Sequence, residues 1–90
     1  MEPDAKRFFY SDPEIGDRVH AAMELPYNIV LSLTEDGVWE LRLLELKGCM
    51  GTGRKFADAF TDLRYAQEQW LLECVRRRMP VPQPVEDIWA

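Results

Sequence analysis

The 90-residue sequence has little of the residue types that build metal and redox sites. It contains one histidine, His20, and two cysteines, Cys49 and Cys74. These three residues do not have the spacing of a zinc site, and a single histidine leaves such a site short of ligands. Both cysteines are expected to stay reduced and packed in the interior, with a disulfide as the alternative. The sequence therefore predicts no metal site and no cofactor.

Long apolar runs are also missing. No stretch approaches the roughly 20 apolar residues that span a bilayer, and the N-terminus has no apolar segment typical of a secretory signal. Hydrophobic residues make up 47 % of the chain and charged residues 30 %, as in an ordinary globular domain. Ninety residues form one domain with a modest core. We therefore expect a single cytoplasmic domain.

The chain lacks an excess of basic residues. Its net charge is −5, and the acidic excess lies at the two ends. Residues 1–24 carry six acids and three bases, residues 25–79 carry eight of each, and residues 80–90 carry two acids. A neutral middle with acidic ends argues against general nucleic-acid binding, which needs a basic face. The charge either attracts a basic partner or only keeps a small protein in solution.

Two N-terminal segments precede the body of the chain. Residues 1–10 are predicted to form a loosely held arm. Residues 11–25 begin with Ser11 or Asp12 as a helix N-cap and Pro13 in the first turn, and Pro26 ends the pattern. This segment is predicted to be a short helix.

Residues 27–46 have the pattern of a β-hairpin. Within residues 27–34, one face carries Tyr27, Ile29, Leu31 and Leu33 and the other carries Asn28, Ser32 and Thr34, and this period of two predicts a half-buried strand. Residues 35–37 are predicted to form a tight turn, in which Asp36-Gly37 supplies the positive φ that a two-residue hairpin turn requires. In the return strand, residues 38–46, Glu40 and Arg42 share the face opposite Trp39 and Leu41. Two of the three tryptophans, Trp39 and Trp70, are expected in the core.

The segment "KGCMGTGRK", residues 47–55, has a glycine spacing and basic residues similar to those of a phosphate-binding P-loop. In a P-loop, lysine follows the last glycine directly and a hydroxyl residue comes next. Here Arg54 and Lys55 follow Gly53, and Phe56 takes the place of the hydroxyl. We therefore interpret the glycines as residues whose dihedral freedom lets a short strand turn sharply into a helix.

Residues 56–79 have the periodicity of an amphipathic helix of about six turns. Tyr65 lies off its apolar face and is a candidate contact with another protein. Arg76, Arg77 and Arg78 complement the negative end of the helix, or alternatively form a phosphate or acidic-partner site. The proline-rich tail, residues 80–90, is expected to be extended, with its last apolar residues folded back or paired with a second chain.

No residues form a recognisable catalytic set. His20 has no cysteine or serine at an obvious partnering distance. Asp58 and Asp62 lie one helical turn apart, but no third metal ligand accompanies them. The sequence therefore predicts a protein that is not an enzyme.

Residues 25–84 resemble the HicB-like antitoxin family. The matching pieces, in order, are "LPY", "EDG", "LELKGC", "GTG", "FADAF", "QWLLE" and "PVPQP". The resemblance implies an α+β fold with a three-stranded antiparallel sheet packed on one long helix, also described as partial ribonuclease H-like. It places a third strand near residues 49–52. It implies no catalysis, but binding and blocking of a small basic ribonuclease toxin, HicA.

The chain departs from the family pattern in three ways. It ends at Ala90, so no C-terminal DNA-binding domain is expected. It has an N-terminal extension with a short helix, residues 1–24, before the HicB-like domain at 25–84 and a tail at 85–90. Arg54 and Lys55 replace the residues that resemble a helix N-cap, which places cations at a positive helix end.

We therefore predict a protein-binding module that neutralises a HicA-type toxin by occlusion. The predicted partner-binding residues are Glu40, Arg42, Arg54, Lys55 and Tyr65. The alternative is a stand-alone HicB-like oligomer that serves as an adaptor or subunit without a toxin. A homo-oligomer is expected in both cases because small sheets have edges that pair. Nucleic-acid binding would require the cations at the two ends of the long helix to form one patch.

Overall fold

A computed structural model describes residues 12–86 of the chain. The elements are α1 (Pro13–Met23), β1 (Ile29–Leu33), β2 (Trp39–Leu43), β3 (Met50–Gly53) and α2 (Phe56–Arg76). The three strands form an antiparallel sheet in the order β1-β2-β3. Helix α2 packs on β3 and β2, and α1 packs against α2. This confirms the predicted α+β fold. Within residues 12–86, no helix has the length and apolar character to cross a membrane.

Helix α1 begins at Pro13 because Asp12 caps it. The Asp12 carboxylate accepts a hydrogen bond from the amide of Glu14 at 2.9 Å. Val19 and Ala22 are buried in the core that α1 shares with α2. The predicted helix is thus confirmed with Asp12 as its N-cap, while the arm at residues 1–10 and Ser11 lie outside the described residues.

The hairpin turn is one residue longer than predicted. The amide of Thr34 donates to the carbonyl oxygen of Val38 at 2.9 Å, so this pair encloses three residues, Glu35 to Gly37. Gly37 alone of the three has a positive φ, +82°. A three-residue loop of this kind places glycine in the left-handed region at its end. The two-residue turn was therefore wrong, but the need for Gly37 was right.

Strand β1 is exposed and not half-buried, contrary to the prediction from its sequence pattern. All five of its residues are exposed, and its four apolar residues expose 40–56 % of their surface. Its partner β2 buries Leu41 and Leu43 as predicted. The reason is geometric: a helix about 10 Å wide covers roughly two strands spaced about 4.8 Å apart. Helix α2 lies on β2 and β3, so no element within residues 12–86 covers β1.

Two of the three glycines in residues 47–55 have a role that the sequence analysis missed. Gly48 does have a positive φ, +83°, and serves the turn between β2 and β3. Gly51 and Gly53 do not. A Cβ atom on Gly51 would overlap the backbone of Ala59 and Leu63 in α2. These two glycines therefore allow a close approach of strand and helix rather than a sharp turn.

Helix α2 supplies most of the core from one face, with Ala59, Leu63 and Leu71 fully buried. The helix ends at Arg76, three residues before the predicted end, and Arg78 adopts a left-handed φ of +57°. There the amide of Met79 donates to the carbonyl of Cys74, a helix-ending arrangement usually made with glycine. Trp70 packs against the core while its indole N–H donates to the carbonyl of Lys47 at 2.9 Å.

Candidate protein-binding site

The five predicted partner-binding residues do not form one cluster. Glu40 and Arg42 lie on the face of the sheet that points away from α2, which we call the outer face. Arg54 is held at the hairpin turn, where its guanidinium donates to the carbonyl of Asp36 at 3.0 Å. Lys55 is its neighbour and the N-cap of α2. Tyr65 is 62 % exposed and lies about 200° around α2 from the buried Leu63, on the opposite side of the molecule.

An apolar surface lies on the other face of β1, which we call the inner face because α2 packs there. The inner patch consists of Ile29, Leu31, Leu33, Phe56 and Phe60, each exposed by 39–56 %. Phe56 contacts Trp39 edge to face at 5.5 Å between ring centroids and stacks on Phe60 at 6.4 Å. Since Trp39 pairs with Leu33 across the sheet, the phenylalanines and the strand form one continuous surface.

A small cleft of about 90 Å³ opens at the Ile29 end of the inner patch. Leu43, Phe60 and Leu63 line it together with Ile29. Gln67 closes its far side and is only 3 % exposed, with its amide oxygen accepting a hydrogen bond from the Arg64 guanidinium. A cleft with a mostly apolar lining and two polar side chains, Arg64 and Gln67, is suited to an apolar side chain of a partner.

The outer face carries a second, smaller apolar surface. Val30 and Met50 are exposed and lie on either side of Arg42, because the register pairs Val30 with Arg42 and Arg42 with Met50. Leu44, exposed directly after β2, extends this row. We call Val30, Leu44 and Met50 the outer patch. Strand β1 is thus apolar on both faces, and it carries no charged residue.

The two edges of the sheet differ in how they are protected. At β3, the amide of Thr52 donates to the carboxylate of Asp62 in α2 at 3.0 Å, so a side chain satisfies part of that edge. At β1, the amide of Leu44 donates to the carbonyl of Asn28, and Thr34 bonds Val38 in the same way. The main-chain N–H and C=O groups of the even-numbered residues of β1 therefore point to β2. Those of Ile29, Leu31 and Leu33 point to the free edge.

The C-terminal tail is hydrogen-bonded to Tyr27 and Asn28, the residues just before β1. The Tyr27 hydroxyl donates to the carbonyl of Pro82 at 2.7 Å, and the Asn28 side chain donates to the carbonyl of Val85 at 2.9 Å. The Glu45 carboxylate accepts hydrogen bonds from Asn28 and from the amide of Val85. Desolvation works to raise the pKa of Glu45, but these hydrogen bonds outweigh it and lower the pKa below its usual value. The predicted contacts of Ile88 and Trp89 lie outside the described residues.

The remaining polar features do not add up to a chemical site. No group of three or more metal-binding side chains occurs within residues 12–86. An open cleft of about 970 Å³ between α1, the end of α2 and the tail carries both signs of charge, with Arg18 and Arg78 near Asp12 and Glu14. The cations at residues 54–55 and 76–78 lie at opposite ends of the 21-residue α2, about 30 Å apart. They do not form one nucleic-acid-binding patch.

Comparison of the chain with family models, with curated proteins and with solved structures gives no match. The resemblance to HicB-like antitoxins therefore rests on the sequence pieces alone.

A sequence signal for the exposed strand was available. Edge strands are usually protected by lysine, proline or a bulge, whereas β1 reads Ile-Val-Leu-Ser-Leu with none of these. Such a strand is protected only if something else covers it. The apolar surface around β1 is the strongest candidate site in the described part of the chain.

Proposed function

We propose that this chain is a non-enzymatic protein-binding module. The observation that carries the proposal is the apolar surface on both faces of β1. Exposed apolar patches beside a free strand edge are characteristic of protein interfaces, because both the side chains and the main chain gain from a partner. The side chains of β1 stay exposed in a fold that has already buried its core, so a partner can cover them without unfolding the protein.

We further propose that the partner is a small basic ribonuclease of HicA type, which the chain neutralises by covering its RNA-binding or active surface. The sequence resemblance and the net charge of −5 support this partner. The outer face is the proposed contact: Val30 and Met50 would anchor the partner, and Glu40 and Arg42 would set its orientation. Arg54, Lys55 and Tyr65 lie away from this face and remain candidates for secondary contacts.

The test is a binding measurement with a HicA-type protein encoded beside this chain. The purified full chain is titrated with a catalytically inactive form of that protein, and Val30→Asp is compared with the unchanged chain. We expect Val30→Asp to weaken binding at least about 10-fold, since a carboxylate would have to be buried at the contact. Tyr65→Ala is the control on the opposite side of the molecule. Equal binding by the unchanged chain and Val30→Asp would place the contact elsewhere.

The second candidate function is a stand-alone oligomeric adaptor or subunit without a toxin. The inner patch favours it, because binding at the outer face leaves that larger apolar surface uncovered. A tagged full-length chain recovered from its native cells discriminates the two functions. Recovery of a basic ribonuclease at fixed stoichiometry supports the antitoxin function, whereas recovery of the chain alone supports the stand-alone function.

A further inference from the structure

We infer that the inner patch and the free edge of β1 bind a second copy of this chain, so that two sheets join through antiparallel β1–β1 pairing. The toxin contact proposed above uses the outer face of the sheet, so the two interfaces are different surfaces of one strand. The inference does not depend on the identity of the toxin, and it holds equally for the stand-alone function.

Strand β1 spans Ile29–Leu33, with Leu31 at its centre. It is preceded by Asn28, whose amide donates to Glu45 and whose side chain donates to the carbonyl of Val85 in the tail. It is followed by Thr34, which is bonded to Val38 at the hairpin turn. A twofold axis at Leu31 places each Ile29 opposite the Leu33 of the other copy.

The main-chain groups match this symmetry. Ile29, Leu31 and Leu33 each present an N–H and a C=O group to the edge, and antiparallel pairing about Leu31 aligns only these residues with one another. Every outward donor then meets an outward acceptor of the other copy. A twofold interface must be complementary to itself, and this edge meets that condition without any change in the strand.

The side chains match it as well. Ile29, Leu31 and Leu33 lie on the same face, so pairing brings six apolar side chains of two copies side by side, with no charge among them. Phe56 and Phe60 of each α2 form the walls of the resulting trough. The five residues of the inner patch expose together roughly 400 Å² per copy, about half of the ~800 Å² per partner of a standard interface. The paired main chain and the neighbouring turns supply additional area.

Natural sheets rarely leave such an edge unpaired. The opposite edge, β3, is short, contains two glycines and has an amide satisfied by Asp62. Among the residues that the structure describes, none protects β1 in these ways, so a free monomer would expose a strand suited to uncontrolled association. A closed twofold pair removes that edge, because pairing of β1 with β1 leaves the two β3 strands as the outer edges.

The test is the molar mass of the full chain in solution across a range of concentrations, by light scattering or sedimentation. The unchanged chain is expected to be a dimer. Leu31→Asp is expected to raise the dimer dissociation constant at least about 30-fold, because it buries two carboxylates at the axis. Val30→Asp is the matched control, since it places the same charge one residue away on the outer face. Its dimer should be retained.

A second variant protects the test against misfolding. Leu31→Pro removes an outward-pointing N–H, which an edge strand tolerates, and leaves the bonds to β2 in place. It should dissociate the dimer while circular dichroism shows an unchanged fold. The inference is overturned if the unchanged chain is monomeric at concentrations 100-fold above those used for toxin binding. It is also overturned if the Leu31→Asp and Leu31→Pro variants both remain dimers. Toxin binding is measured separately with Val30→Asp, so failure of one proposal is distinguishable from failure of the other.

Discussion

Single residues decide how closely the elements of this protein can pack. Gly51 lies in β3 opposite Leu41, beneath α2, and its missing side chain is what lets the helix backbone approach the strand. Larger residues could adopt its backbone conformation, since its φ is not positive. The glycine is therefore required by the space above it rather than by its dihedral angles.

We expect Gly51→Ala to destabilise the fold by at least about 2 kcal/mol, because the added methyl group overlaps backbone atoms of Ala59 and Leu63 that cannot rotate away. The free energy of unfolding is measured by urea denaturation followed by circular dichroism. Thr52→Ala, at the next position and exposed, is the control and should cost less than about 1 kcal/mol. A Gly51→Ala variant as stable as the control would mean that α2 does not approach β3 as closely as described.

At the scale of elements, the start of α2 lacks the side-chain cap that the start of α1 has. Lys55 occupies the N-cap position, but its side chain makes no capping hydrogen bond. Arg54 precedes it, and its guanidinium is directed to Asp36 instead. In contrast, Asp12 caps α1 directly. Asp58 in the first turn of α2 is the acidic residue that offsets the two cations.

Replacement of Lys55 tests this interpretation. Lys55→Ser should be more stable than Lys55→Ala by about 1 kcal/mol, because only serine supplies an oxygen to the amides of the first turn, while both variants remove the same charge. The two free energies of unfolding are compared in urea. Hydrogen exchange of the first-turn amides should slow in Lys55→Ser alone. Equal stability of the two variants would show that the first turn of α2 is already capped by another group.

At the scale of the whole molecule, the tail closes the fold by joining residues far apart in sequence. Tyr27 and Pro82 are 55 residues apart, and their hydrogen bond holds the tail beside the first residues of β1. Desolvation by burial is the main cause that raises the pKa of Tyr27 to about 12, and the charges of Cys74 and Glu45 add to it. The neutral phenol is therefore the form that the folded state holds.

This pKa predicts a loss of stability in alkali. Tyr27 in the unfolded chain ionises near pH 10.0, whereas in the folded chain it ionises near pH 12. Its contribution is fully present below pH 10 and is lost as the pH rises through about 12. Tyr27→Phe has no phenol to ionise, so the stability advantage of the unchanged chain over this variant should shrink across that window. The free energies of unfolding of the unchanged chain and of Tyr27→Phe are measured in urea at a series of pH values. A difference between them that stays constant from pH 10 to pH 12 would contradict the prediction.

The helical layer of the molecule is narrower than its sheet layer. A single long helix covers one side of a three-stranded sheet, and the shorter α1 packs against α2 rather than against β1. The fold therefore completes a core around β2, β3 and the helices and leaves a third of the sheet outside it. The proposed dimer would give that strand a neighbour on both sides.

Much of the local structure could be predicted from the sequence, because it depends on neighbouring residues. Asp12-Pro13 starts a helix, Gly37 closes a hairpin, and the periodicity of residues 56–76 indicates an amphipathic helix. The fold class follows from the order of these elements. The candidate site could not be predicted in the same way. The period of two in residues 27–34 correctly identifies a strand, but it says which side chains share a face and not whether anything covers that face.

The sequence by itself thus determined the two helices, the hairpin of β1 and β2, the Asp12 cap and the turns at Gly37 and Gly48, whereas the third strand was expected from the family resemblance. The tertiary structure decided which strand lies uncovered, which glycines make room for a helix, and that Glu40 and Arg42 lie far from Tyr65. The physical reason is range. Backbone preferences and periodicity act between residues a few positions apart, whereas coverage depends on where a helix of limited width rests on a wider sheet. That placement leaves β1, a strand without charge, as the surface on which this protein is proposed to meet its partners.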